Sequence, residues 1–168
     1  MKKSTTIWDL IILLAICIWL MGFATSANAE TMKFNIYNWQ TKIEDVSLGD
    51  AEGHSVGVEL RSAFYVFETG EVANTKIVSS YDLIKATGAY KNYITLNFED
   101  GSTIIVKSEG TVGVPSAEFK SEIIKGTGRF QGIKGTIAAK IRFLRPESGE
   151  TRGKGIGEGA ITYTLPPK

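Results

Sequence analysis

The chain reads as an all-β protein of about eight antiparallel strands, rolled into a barrel or packed as a sandwich, behind a cleavable leader. Three observations predict this. Apolar residues recur at every second position along several segments. Turn-forming residues separate those segments at short intervals. No stretch of ten residues carries a helical repeat.

The leader comes first. Lys2 and Lys3 precede a charge-free run from Leu10 to Phe23, and Ala27-Asn28-Ala29 places small residues at the two positions a signal peptidase reads. That run of 14 residues is shorter than the ~20 a membrane-spanning helix needs. Residues 1–29 are therefore expected to be a signal peptide and 30–168 a single β-barrel domain. The mature protein would be exported through the secretory pathway, to a periplasm or the extracellular space, with no stable membrane anchor after cleavage. The only cysteine, Cys17, lies in the leader behind Ile16, which is too large for a lipoprotein site, so no lipid anchor, disulfide or thiol nucleophile is expected. The 19 basic and 18 acidic residues become 17 and 17 once Lys2, Lys3 and Asp9 leave with the leader. A neutral domain has no bulk electrostatic attraction to nucleic acid or to an anionic membrane.

The strands are expected at 33–40, 54–68, 71–85, 90–99, 102–112, 118–125, 135–145 and 155–165. Ile94, Leu96 and Phe98 alternate with Thr95, Asn97 and Glu99, and Ile137, Ala139, Ile141 and Phe143 alternate likewise. Val56, Val58 and Leu60 alternate with Gly57, Glu59 and Arg61, which assigns the three apolar side chains to the dry face. Asp100-Gly101 between two alternating runs is a hairpin signal, "ETGE" (Glu68 to Glu71) and "ATGAY" mark further turns, and Leu144 to Gly155 is a long polar connection. The segment Pro115 to Ile124 fits either a short helical turn or a strand. Ala63 to Phe67 is apolar on both faces, so its outer side is covered either by another part of the chain or by a neighbouring subunit.

The stretch "GTGRFQGIKG", Gly126 to Gly135, invites comparison with a phosphate cradle. A dinucleotide fingerprint needs a third glycine where Gln131 stands, the order of a P-loop is absent, and a strand rather than a helix follows. The turn reading fits better. Gly126, Gly128, Gly132 and Gly135 would form a structural glycine turn, Phe130 would plug the barrel end, and Arg129 and Lys134 would be solvated.

The same stretch, "IIKGTGRFQGIKG", resembles the glycine-rich "GGTG-[KR]-[FY]-x-x-A-x-G" segment of the plant dirigent proteins and the allied allene oxide cyclase barrels. "GHSVGVELRSAFYVFETGEV", Gly53 to Val72, is similar to their G-H-x-x-G strand. The resemblance implies an eight-stranded antiparallel barrel with a central cavity, often trimeric. It also implies cofactor-free chemistry: cyclisation of an unstable allene oxide, or steering of a bound radical or quinone methide. Dirigent proteins carry acidic residues in the cavity, one near the end of the first strand, whereas "FNIYNWQTK" has no acid before Glu44. The cavity cysteine of the plant cyclases has no counterpart either. The resemblance thus implies the fold and leaves the activity open.

Chemistry-bearing residues are few. His54 is the sole histidine, has no nucleophile or second histidine beside it in a motif, and reads as structural. No metal site and no cofactor are expected. Glu59 and Arg61 share one strand face and Glu71 opens the next strand. Facing inward they would orient a ligand; the alternation favours the outer face for Glu59 and Arg61. Tyr37 and Trp39 share a face and are the first lining candidates, with Tyr65, Tyr81, Tyr90 and Tyr93 as further aromatics. The expected function is binding of a small apolar or amphipathic molecule in the barrel by an exported protein, and a homo-oligomer, a trimer, is the assembly the resemblance implies. The rivals are a cofactor-free cyclase, isomerase or dirigent-like enzyme, and an interaction module with a solid core.

Overall fold

The computed structural model describes residues 28–113, 116–145 and 153–167. The charged start and apolar run of the expected leader lie outside the described residues. Eight strands follow one another: β1 Glu30–Ser47, β2 His54–Phe67, β3 Val72–Ile84, β4 Thr87–Phe98, β5 Thr103–Val112, β6 Ser116–Thr127, β7 Lys134–Leu144 and β8 Lys154–Thr164. Each pairs antiparallel with its successor, and β8 returns to β1 from Glu30↔Tyr163 to Trp39↔Lys154, closing the barrel. Closure leaves no strand edge open for pairing with another chain. The barrel unit spans Ala29–Pro166.

The strand pattern matches the alternation with one substantial extension. β1 does not end at residue 40 but runs to Ser47, paired with β2 alone beyond Trp39. Its register shifts between Gln40 and Lys42. Such a bulge inserts one residue and exchanges the two faces of the strand. Inward positions therefore pass from Phe34, Ile36, Asn38 and Gln40 to Ile43 and Asp45. The helical alternative is not adopted over 116–124, because Ser116–Thr127 is strand; Pro115 lies outside the described residues.

The two ends of the barrel differ. At one end the turns after β2, β4 and β6 close over an aromatic core. Phe67 stacks on Phe98 at 5.6 Å, Phe98 meets Phe130 at 4.8 Å, and Phe130 meets Tyr163 edge-on at 6.3 Å. Phe130 is 3 % exposed and plugs this end, as expected from the sequence. A one-turn 3-10 helix, Gly128–Phe130, delivers it. Gly128 has φ +60°, a left-handed conformation that a side chain would strain, and any Cβ there would run into Ser102. Gly126, where a Cβ would strike the Phe130 carbonyl, and Gly132 and Gly135 complete the turn.

Arg129 is not simply solvated, contrary to the sequence expectation. Its guanidinium donates to Asp100 Oδ2 at 3.1 Å and Glu71 Oε1 at 2.5 Å, and lies 4.8 Å and 4.7 Å from the ring centres of Phe98 and Phe130. One side chain thus ties together three turns of the closed end. The Asp100-Gly101 hairpin is confirmed: Gly101 has φ +80° and Asp100 Oδ1 accepts from the Ser102 amide at 2.9 Å.

Candidate functional site: the cavity at the open end

The opposite end contains a cavity of about 420 Å³, within the size range of small-molecule sites. The solid-core expectation is corrected by its presence. Tyr65, Ile77, Ile94 and Ile137 form its lower wall. Phe119, Ile141 and Phe143 supply apolar surface from β6 and β7. Strands β1 to β4 supply the polar side: Asn38, Gln40 and Asp45, then Ser55, Glu59 and Arg61, then Ser79 and Tyr81, then Asn92.

Glu59 and Arg61 face inward, reversing the orientation inferred from alternation. Residues of odd number from Gly57 to Phe67 all point into the barrel, and the even-numbered Val58 and Leu60 are 48 % and 39 % exposed on the outside. The two charged side chains form an ion pair, with only 13 % of Arg61 and 16 % of Glu59 exposed. Gln40 Nε2 donates to the same Glu59 oxygen at 3.0 Å. Arg61 also donates from Nε and Nη2 to Asn38 Oδ1 at 3.0 and 2.6 Å, and from Nη2 to the Gly153 carbonyl at 3.1 Å. A guanidinium suits this task because its donors are held in a rigid fork. Asn38 is 5 % exposed, its oxygen is occupied by Arg61, and its Nδ2 donor has no partner.

Nearer the mouth, Tyr81 lies over Gly57, its cross-strand neighbour. The Tyr81 hydroxyl stands 2.6 Å from where a Gly57 Cβ would be, and Asp45 Cβ 2.8 Å from that point. Any side chain at residue 57 would displace the phenol, so this glycine is a platform that brings Tyr81 beside Asp45. Burial, and then the charges of Asp45 and Glu59, push the Tyr81 phenol above its ordinary pKa. Burial alone raises that of Tyr65 strongly. Both phenols stay protonated at neutral pH, available as donors. Tyr90 packs edge-on against Phe119 at 5.1 Å, with its hydroxyl 3.4 Å from Ser108 Oγ.

The other sequence candidates lie elsewhere. Tyr37 and Trp39 do not line the cavity. They sit on the outer face of β1, Tyr37 51 % exposed and Trp39 packed 5.3 Å from Phe64. The odd positions of β1 point outward before the bulge, because Phe34, Ile36 and Asn38 point in. Glu71 belongs to the closed end, paired with Arg129. Of the wider aromatic set, Tyr65, Tyr81 and Tyr90 line the cavity, while Tyr93 is exposed. Sequence reasoning passed over Asn38, Gln40 and Asp45. The signal for the first two was their parity with Phe34 and Ile36; the bulge hid Asp45.

His54 is structural in placement. Nδ1 contacts Asp50 Oδ1 at 2.6 Å and Nε2 contacts Asp82 Oδ1 at 2.9 Å, joining the β1–β2 turn to β3. The hydrogen bond to Asp82 and then that to Asp50 raise its pKa. Among the described residues, no group of three or more His, Cys, Asp or Glu side chains could hold a metal ion.

No family model matches the chain, and no curated protein matches it. Solved structures do. The pterocarpan synthase dirigent protein PsPTS1 superposes with a TM-score of 0.54 at 12 % identity, over 83 % of this chain and 97 % of that one. The pterocarpan synthase dirigent protein GePTS1 gives 0.53 at 13 % identity, over 98 % and 100 %. The barrel is of the dirigent type. A protein of unknown function from the DUF3224 family of Shewanella oneidensis MR-1 is also similar, with a TM-score of 0.49, 15 % identity and coverage of 85 % and 100 %. At these identities the likeness is one of fold. Extended past its bulge, β1 places an acid, Asp45, among the cavity-lining residues near its end.

Proposed function

We propose that this protein binds a small apolar or amphipathic molecule in the open-end cavity. The observation that carries the reading is a cavity lining that combines isoleucine and phenylalanine side chains with a pre-arranged polar network on β1 and β2. Apolar surface supplies binding energy, and a few fixed polar groups orient the occupant. Export is part of the proposal. It is supported by the Ala27-Asn28-Ala29 pattern and by the start of β1 at Glu30, where Tyr163 donates to Glu30 Oε2 at 2.6 Å. The test is a native mass spectrum of residues 30–168 isolated from the source compartment, with uptake of a neutral hydrophobic dye measured beside it. A bound mass that leaves on denaturation, or saturable dye uptake, supports carriage. A bare chain that takes up no dye overturns it.

A second reading, a cofactor-free enzyme, is favoured by the adjacency of Asp45 and Tyr81 inside an apolar-walled cavity and by the pterocarpan synthases among the fold neighbours. On that reading Asp45→Asn abolishes conversion of the retained molecule while leaving its binding intact. We also propose that the outer face of β1 to β3 is covered by further copies of the chain, a trimer being the arrangement the sequence resemblance implies. Tyr37, Val58, Leu60, Phe64 and Val78 are each between 39 % and 51 % exposed there.

A further inference from the structure

We propose that the cavity selects an uncharged amphiphile that enters head first, its head both donating and accepting hydrogen bonds as a carboxamide or a hydroxyl does. This rests on the binding reading above and names the class of occupant. The inward side chains of β3 to β6 lie in register tiers. The lowest tier is apolar: Ile77 pairs with Ile94, Ile94 with Val106, and Val106 with Ile123. One step nearer the mouth, Ser79 pairs with Asn92, Asn92 with Ser108, and Ser108 with Ser121. Four adjacent strands thus carry a polar belt directly above an isoleucine and valine floor. Above the belt Tyr81 pairs with Tyr90, and Phe119 packs on Tyr90 at 5.1 Å.

The belt is buried, unsatisfied within the protein, and open to the cavity. Ser79, Asn92 and Ser121 are 7 %, 8 % and 5 % exposed, and all three line the cavity. Ser108 is taken up by the Tyr90 hydroxyl at 3.4 Å. The side chains of the other three have no hydrogen-bond partner among the described residues. Their polar atoms are nonetheless not sealed, because the one sealed and unpartnered side-chain atom among those residues is Asn38 Nδ2. Native structures rarely leave buried polar groups unpaired, and these three can be paired from the cavity.

The belt itself is uncharged, and its neighbours oppose a charged head. Glu59 stands opposite Ser79 in register, held by Arg61 and Gln40. A carboxylate on the belt would lie beside Glu59, while the nitrogens of Arg61 already serve Glu59, Asn38 and the Gly153 carbonyl. An ammonium would exchange water for neutral dipoles. Either charge is costly to bury without a partner of its own. A carboxamide matches the Asn92 amide donor to acceptor and acceptor to donor, and the Ser79 hydroxyl on the adjacent strand takes a remaining donor or acceptor. The apolar body then lies among Tyr81, Tyr90 and Phe119.

The experiment is displacement of the neutral dye N-phenylnaphthylamine from the mature chain by octanamide, 1-chlorooctane, octanoate and octylamine, which share one body and differ in the head. Partition into an apolar site favours chlorooctane, so the belt is read from a reversal of that order. Octanamide is expected to displace at roughly tenfold lower concentration than chlorooctane, a difference of ~1.4 kcal/mol, and ahead of both charged heads. In Asn92→Ala, and to a smaller degree in Ser79→Ala, the order should return to that of partition. The urea midpoints of Ser79→Ala and Ser121→Ala should hold or rise, because no internal hydrogen bond is lost. Displacement by chlorooctane or by a charged head ahead of octanamide overturns the inference while leaving the binding reading in place. An octanamide preference that survives both substitutions, or a clear fall in the two midpoints, also overturns it, since the belt would then serve the fold and not the occupant. Failure of the dye and every competitor to bind removes the binding reading and this inference with it.

Discussion

Replacing Arg61 by methionine separates the two orientations of β2 by energy alone. The substitution keeps an unbranched side chain of similar reach and removes the charge. In the structure Arg61 and Glu59 are 13 % and 16 % exposed, so the variant leaves a largely buried carboxylate with only Gln40 as its donor and Asn38 with no partner for its oxygen. Breaking a buried pair from one side costs ~3–5 kcal/mol. The pair lines an open cavity that water reaches, which places the expected loss lower, at about 2–3 kcal/mol. On a solvated outer face the same pair would contribute at most ~1 kcal/mol. For a domain of this size the expected loss lowers Tm by about 6–9 °C. The assay is chemical denaturation at neutral pH, repeated at lower pH and in Arg61→Met combined with Glu59→Gln. Protonating the stranded carboxylate, or replacing it, removes the uncompensated charge, so the deficit should shrink in both cases. A loss below about 1 kcal/mol, or one unchanged by acid and by the second substitution, would refute the inward network.

Three further outcomes are expected. Phe130→Ala should cost about 3–5 kcal/mol in urea denaturation, because it removes a ring packed on Phe98 and Tyr163 at the sealed end; a loss under ~1 kcal/mol would deny it the role of a plug. His54 has a raised pKa in the folded state, so its contribution is full below its unfolded value of 6.5 and fades as pH rises through the folded value. The fall in denaturation midpoint above pH 6.5 should therefore be shallower in His54→Gln, and an unchanged slope would remove His54 from the account. Leu60→Lys places a charge in the outer apolar stripe, and sedimentation should show an oligomeric wild type and a smaller variant species; a monomeric wild type would sink the interface.

The contrast between the two ends explains what the sequence disclosed. At the closed end the interior is apolar and the pattern reads correctly: Leu96 and Phe98 point in, Asp100-Gly101 turns the chain, and the glycine turn delivers Phe130. Around the cavity the rule inverts. Gly57, Glu59 and Arg61 face a polar interior while Val58 and Leu60 face outward, so alternation alone selects the wrong face of β2. Ala63 to Phe67, apolar on both sides, is where the two regimes meet. Its inward members Ala63, Tyr65 and Phe67 fix the parity of the whole strand. Counting back from Phe67 by twos would have placed Arg61 and Glu59 inside. On β1 the same count from Phe34 reaches Asn38 and Gln40 but fails for Asp45, since the bulge between Gln40 and Lys42 shifts the phase of the count by one residue. The positions that periodicity misassigns are those where the barrel departs from a filled core. A polar residue in phase with the plugged end, rather than one out of phase with its apolar neighbours, is thus the signal that marks a cavity in such a barrel.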